Sequence, residues 1–317
     1  MTVGRYLARR LLQAVVVLWA AFTVSFAVLY VLPGDPVAIM AGAGTQSSTT
    51  DPAQLAALRH QYGLDQPLAV QYWDKLVDAL HGDLGRSVVN GSPVSTIIKQ
   101  NLPATLQLTL LALAFAVLFG SAIALCATYT RARWLRQFLL TLPAAGVSLP
   151  SFWVGLMLLQ LFSFRLHVFP AFGNNGVRSL VLPALTLAVA SSAVIAQLLA
   201  KSMDNVLSEP YIETARAKGA SRLRIHFRHA LRNAAAPALT ILGVTFGELI
   251  TNAVITETVF SRTGLGSVTA QAVQAENIPV VQGVVIVSAV AFVLVNLAVD
   301  LVYPLLDPRI VTAGAAR

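Results

Sequence analysis

Charge is scarce in this sequence. Only 11% of its 317 residues are Asp, Glu, Lys or Arg, against about a quarter in soluble domains, and so apolar a chain would leave sticky surface throughout in water. Cysteine is almost missing as well. The lone Cys126 excludes an intrachain disulfide, and without a Cys/His cluster at ligand spacing neither structural zinc nor an iron–sulfur centre is expected. No Gly-rich loop ends in Gly-Lys-Ser or Gly-Lys-Thr, so nothing in the sequence is built to cradle nucleotide phosphates. There is no HExxH, and His167, the one histidine near a membrane boundary outside 211–233, has no acidic neighbour. An intramembrane hydrolase is therefore not expected.

What is present is long uncharged runs: 11–32, 102–129, 137–163, 180–200, 233–259 and 280–299. Each is long enough to cross a bilayer, and none alternates as barrel strands do. Backbone in lipid must satisfy its own hydrogen bonds, so six transmembrane helices are predicted. Only the fifth run carries charges, Glu248 and Glu257. The first follows Arg5, Arg9 and Arg10 as a secretory signal would, but it outlasts a signal core and ends in LPGDP, so it is read as a retained span.

The net charge of +8 does not point to nucleic acid, because the basic residues sit in short loops between apolar runs. They set topology instead. Arg5, Arg9, Arg10, Arg131, Arg133, Arg136, Arg309, Arg317 and seven Lys and Arg residues within 201–232 fall on one side. Seven fall on the other, four of them (Arg59, Lys75, Arg86, Lys99) in a single long loop. By the positive-inside rule both termini are expected in the cytoplasm. The predicted organisation is an N-terminal cytoplasmic segment 1–10, a first span 11–32, an extracytoplasmic cap 33–101, a core 102–303 with a loop 201–233, and a cytoplasmic tail 304–317.

The cap holds a Gly/Ser/Thr stretch at 41–50 and two helical patterns. Leu55, Leu58 and Tyr62 share a face in one; Val70, Trp73, Val77 and Leu80 share a face in the other, before a break at Gly82. Pro143 and Pro150 are expected to kink the third span. No internal repeat of the kind found in secondary transporters is visible.

The loop after the fourth run reads EPYIETARAKGASRLRIHFRHALRNAAAP. Pro210 suits a helix start. Ala215 and Gly219, four apart, suggest a small-residue ridge where another protein's backbone approaches closely. A second stretch places Leu223, Phe227 and Leu231 on one face and Arg224, Arg228 and Arg232 on another; that basic stripe suits an ATPase contact or, more simply, anionic lipid headgroups. His226 and His229 lack metal-ligand partners and read as interface residues.

This loop resembles the EAA loop of type I ABC importer permeases, Glu-Ala-Ala, three residues, then Gly. It appears here as Glu213, Thr214, Ala215 and, after Arg216, Ala217 and Lys218, Gly219; Thr214 departs from the pattern, as does Arg232 where a Leu-Pro pair usually ends it. The likeness runs through RYLARRLLQ, LPGDP, YGLDQPLAVQYW, GDLGRS, LPATLQLTL, ETVFSRTGLG and LVNLAVDLVYPLLDPRI. Together these resemble the first of the two permease subunits of dipeptide/oligopeptide/nickel importers. The resemblance implies an all-α, polytopic fold of the type I permease kind in a bacterial inner membrane. It implies a heterodimer with a second permease, two cytoplasmic ATPases that bind ATP and Mg in place of any cofactor in this chain, an extracytoplasmic peptide-binding protein and no nucleic acid. Glu213, Thr214, Ala215, Gly219, Ala220 and Arg222 would couple to an ATPase, and a bulky residue at Gly219 is expected to uncouple transport. Arg262, Thr263 and Gly264 would approach the binding protein, the plainer alternative being a turn that only joins two helices.

Glu248, near the middle of the fifth span, is costly to bury charged and is a candidate for the translocation path, or else for a hydrogen bond to a neighbouring helix. Asp300, near the end of the last run, reads as a packing residue. The substrate expected is a di- or oligopeptide, with glutathione or a nickel chelate as alternatives.

Overall fold

The computed structural model describes residues 3–31 and 65–306. The LPGDP segment, the 41–50 stretch, the pattern at Leu55, Leu58 and Tyr62, and the charges Arg309 and Arg317 lie outside them.

Helix α1 (Val3–Phe26) continues as a π-helical turn, Ala27–Val31. Helix α2 (Leu68–Leu80) lies against it through Tyr72, whose ring meets Phe22 and Phe26 edge-on at 5.5 and 5.3 Å. The face bearing Val70, Trp73, Val77 and Leu80 is turned outward, and the residue α2 buries is Gln71.

Helix α3 (Val94–Tyr129) is the central rod. Leu108, Ala112, Ala116, Gly120, Ala124 and Thr128 recur at every fourth residue and are buried. They form a small-residue stripe against helix α6 (Arg178–Leu207). A Cβ on Gly120 would sit 2.7 Å from the Ser192 carbonyl, so the two helices touch nearly backbone to backbone. Lipid tails are as apolar as Leu, so it is close packing of small residues that holds such helices together.

Between them in sequence, α4 (Arg133–Ser148) and α5 (Ser151–Leu158, running on as a π-helix, Leu159–Arg165) meet at a bend of 103°. Pro143 sits inside α4 without breaking it; the break falls at Pro150. Proline disfavours helical backbone in the residue before it, and Leu149 is extended (φ −87°, ψ 127°).

After α6 come α7 (Pro210–Ala217), the short α8 (Arg222–Arg224), a π-helical stretch (Ile225–Ala230) and α9 (Leu231–Val259). Helices α10 (Leu265–Gln274) and α11 (Ile278–Leu306) complete the bundle. Gly243 and Gly247 on α9 let α11 approach, for a Cβ on either would collide with Asn296 or Phe292. Among the described residues five helical stretches are long and apolar enough to cross a membrane, Ala8–Tyr30, Val94–Tyr129, Arg178–Leu207, Arg222–Val259 and Ile278–Val299; the bent α4–α5 pair makes up to six. The stretch Arg222–Val259 starts earlier than its apolar run, because helix continues from Arg222 straight into α9.

Candidate functional site

Three arrangements bear on function. The first is the segment between α6 and α9. Glu209 caps α7 with extended backbone and Pro210 opens the helix, where a missing N–H costs nothing. Ile212, fully buried, and a hydrogen bond of 2.8 Å from the Asn233 amide to the Tyr211 hydroxyl seat the helix on the bundle. Glu213 and Thr214 stay exposed and Ala215 half-buried.

Gly219 does not share a helical face with Ala215. Helix α7 has ended at Ala217, and Gly219 takes φ +81°, the left-handed conformation that closes a helix. Its amide donates to the Arg216 carbonyl at 2.9 Å and the Ala220 amide to the Ala215 carbonyl at 3.0 Å, the paired bonds of a Schellman turn. Apart from its chain neighbours, nothing among the described residues lies within 4 Å of where its Cβ would be.

Arg222 turns inward. Its guanidinium lies 4.6 Å from the Tyr129 ring centroid and donates to the Tyr129 carbonyl. His226, read from sequence as an interface residue, is 4% exposed, with one ring nitrogen 3.2 Å from the Thr128 carbonyl and the other 3.1 Å from that of Arg222. The apolar side chains Leu223 and Phe227 remain exposed, as do Arg224, Arg228 and Arg232. Nearby, Arg136 and Asp204 form a 2.8 Å ion pair that ties α4 to α6.

The second arrangement is a cavity of about 360 Å³ between the α4–α5 bend, α6 and α9, lined by Gly146, Leu149, Ser151, Ser191, Glu248 and Asn252 among others. Glu248 is exposed into it, and its carboxylate has no partner among the described residues. Among the described residues it makes no hydrogen bond to a neighbouring helix. Pro237, Thr240, Val244, Glu248, Asn252 and Ile255 form one exposed stripe along α9 at helical spacing. An ionised side chain at mid-membrane costs about 3 kcal/mol on insertion scales and faces an interior or a wet cavity rather than lipid.

The third is the turn after α9, at the far end of the bundle from α7. Glu257 is 1% exposed; Oε1 accepts from the Thr105 hydroxyl at 2.5 Å and Oε2 from the Ser267 amide at 3.0 Å, where α10 begins. Arg262 is 4% exposed, and its Nη1 donates to the carbonyls of Gly173 and Ser179 at 3.0 Å each and to the Ser179 hydroxyl at 3.1 Å. Burial pushes this guanidinium down from the ordinary arginine range and Glu257 opposes the shift. Gly264 is buried, packed so closely on the Glu257 carboxylate that a Cβ there would collide with it. Of the three residues expected to face a binding protein, only Thr263 is exposed, and it exchanges hydrogen bonds with Asn174.

Residues 116–312 match the family described as "Binding-protein-dependent transport system inner membrane component", and residues 3–109 match its N-terminal counterpart. The chain belongs to this family. It is 38% identical over 305 residues to the glutathione transport system permease protein GsiC of Salmonella typhimurium, covering 96% of this chain and 98% of that protein. The same-named protein of Escherichia coli K12 is 36% identical over the same length. Among solved structures, a chain of the MetNI methionine ABC transporter superposes with a TM-score of 0.58 at 18% identity, over 66% of this chain and 96% of that one. At that identity the likeness concerns the fold, which is that of a type I ABC importer permease.

The chain is thus the permease subunit of an ABC importer, a multi-pass inner-membrane protein. Two features of this permease escaped the sequence reading. The small-residue stripe of α3 was visible in the four-residue spacing of Ala112, Ala116, Gly120 and Ala124. The partners of Arg222 and Glu257 were not, since Tyr129 and Thr105 lie 93 and 152 residues away in the chain.

Proposed function

We propose that this permease supplies half of a path for small peptides, the other half coming from a second, homologous permease. The Glu248 cavity carries the reading. It is a mid-membrane carboxylate with no partner among the described residues, on a mixed polar stripe, beside a broken span. A peptide's amino terminus is the complementary group, so di- and oligopeptides are the substrate class. Glutathione, named in the similar proteins, is the first peptide to try; a nickel chelate offers no free ammonium and fits the carboxylate less well.

The drive comes from two ATPase subunits beneath the 201–233 segment, with both termini on the same, cytoplasmic side. The exposed residues Glu213, Thr214, Leu223 and Phe227 make the docking surface, while Gly219 and Ala220 set its shape. A binding protein delivers substrate to the opposite end, where Thr263 is the turn residue open to contact. ATP and Mg belong to the ATPases.

The test is uptake by the four-component complex in vesicles, with labelled dipeptides, longer peptides, glutathione and a nickel chelate compared side by side. ATP-dependent, binding-protein-dependent uptake of at least one peptide is the expected result. Uptake by the permease pair without ATPases, or of the chelate alone, overturns the reading.

A further inference from the structure

We propose that α3 and the docking segment move as one body, and that Arg222 is the positioning residue joining them rather than a contact to the ATPase. The proposal rests on the importer reading above.

Two physical routes lead out of the docking segment. One is covalent: from Arg224 the chain enters the π-helical stretch Ile225–Ala230 and then α9, which carries Pro237 in its second turn. A π-stretch widens the turn, and a proline removes an intrahelical hydrogen bond, so this route is locally soft. The other is the clamp onto α3. The carbonyls of Thr128 and Tyr129 belong to the last turn of α3, where helical acceptors lack intrahelical partners and the helix dipole is negative. Arg222 donates to the Tyr129 carbonyl and stacks on its ring, while His226 bonds to the Thr128 carbonyl and meets the same ring edge-on at 5.1 Å. The Thr128 hydroxyl also reaches the Met203 sulfur of α6 at 3.8 Å. The segment therefore holds the end of α3 by a cation, a ring and two carbonyls at once.

Beyond Pro103 the rod α3 is uninterrupted helix to Tyr129. From Tyr129 to Thr105 it spans about 36 Å at the helical rise. At Thr105 it meets the Glu257 turn: the Thr105 hydroxyl donates to Glu257 and accepts the Leu265 amide at 2.8 Å. Displacement of the docking segment is in this way delivered to the opposite end of the bundle by one stiff element. Arg222, half-buried, commits its guanidinium to the Tyr129 carbonyl and ring.

The test uses the assembled complex with Cys126→Ser, which removes the one native thiol. Tyr129→Cys combined with Arg222→Cys removes the cation and the ring of the clamp when reduced, leaving only the His226 bond to the Thr128 carbonyl, and replaces them by a covalent bond when bridged with a short thiol cross-linker. In the reduced state uptake per ATP hydrolysed is expected to fall about tenfold, within the usual range of coupling between sites, with the ATPases still co-purifying. Cross-linking is expected to restore it. Cross-linking that stops transport, or loss of ATPase binding in the reduced state, overturns the proposal. If the Cys126→Ser complex itself imports nothing, the importer reading fails instead.

Should the cysteine pair not fold, Arg222→Lys against Arg222→Gln serves. Lys keeps a cation over the ring and is expected to retain most coupling, whereas Gln loses it; equal behaviour refutes the clamp. Arg222→Gln with Thr105→Val is expected to be no worse than the more damaging single change, because both interrupt one line. Simple additivity would show that α3 is not that line.

Discussion

The Thr105 hydroxyl on α3 lies 2.5 Å from Oε1 of Glu257 on α9, and both side chains are all but sealed from solvent. Glu257→Ala would leave the Thr105 hydroxyl and the Ser267 amide without their acceptor. Each such orphan costs about 1–3 kcal/mol, so a drop in melting temperature in detergent, or failure to accumulate, is expected. Glu257→Gln keeps an acceptor oxygen and the side-chain volume and should lose less. Identical melting of the Ala variant and the parent would remove the carboxylate from any structural role.

Gly120 presents a second point of tension. With the Ser192 carbonyl 2.7 Å from an added Cβ, Gly120→Val should push α3 off α6 and cost about 1–3 kcal/mol as overpacking. Leu118→Val, on the exposed side of α3, is the matched control and should be close to neutral. Size-exclusion profiles and thermal melts of the two variants compare them directly.

For Glu248, removing the charge while keeping the shape isolates its electrostatic part. Glu248→Gln is expected to raise the half-saturating concentration for peptides with a free amino terminus about tenfold, equivalent to about 1.4 kcal/mol. N-acetylated peptides should be unaffected. If both substrate classes shift alike, the carboxylate does not read the ammonium group.

Gly219 separates backbone demand from side-chain space. A non-glycine residue in left-handed backbone costs roughly 1–2 kcal/mol, and Asn tolerates it better than Ala. Melting of the isolated permease should therefore rank Gly above Asn above Ala. Gly219→Trp should in addition lose coupled ATP hydrolysis in the complex, where a docked subunit approaches. A Trp variant that retains it fully would mean that no partner comes near.

How much of this was legible beforehand depends on distance along the chain. The apolar runs, the EAA-like segment and the turn residues are local, so they can be seen in a short stretch of sequence. Pro143 and Pro150 look alike in sequence, yet only Pro150 breaks its helix. Arg222 carried an ATPase expectation because motif position speaks of the family. Its inward side chain is set by Tyr129, which no reading of the loop alone could supply. Gly219 was read as one step of a helical ridge, whereas its left-handed backbone is what ends the helix.

The sharp corner between α4 and α5 carries a last implication. Leu149 and Pro150 interrupt the helical ladder, and unsatisfied peptide groups at membrane depth survive only where protein covers them or water reaches them. Leu149 and Ser151 line the same hollow as Glu248. The corner thus sets non-helical backbone beside the Glu248 carboxylate, and if this hollow lies on the peptide path proposed above, a polar passenger there would have only part of the membrane's thickness left to cross.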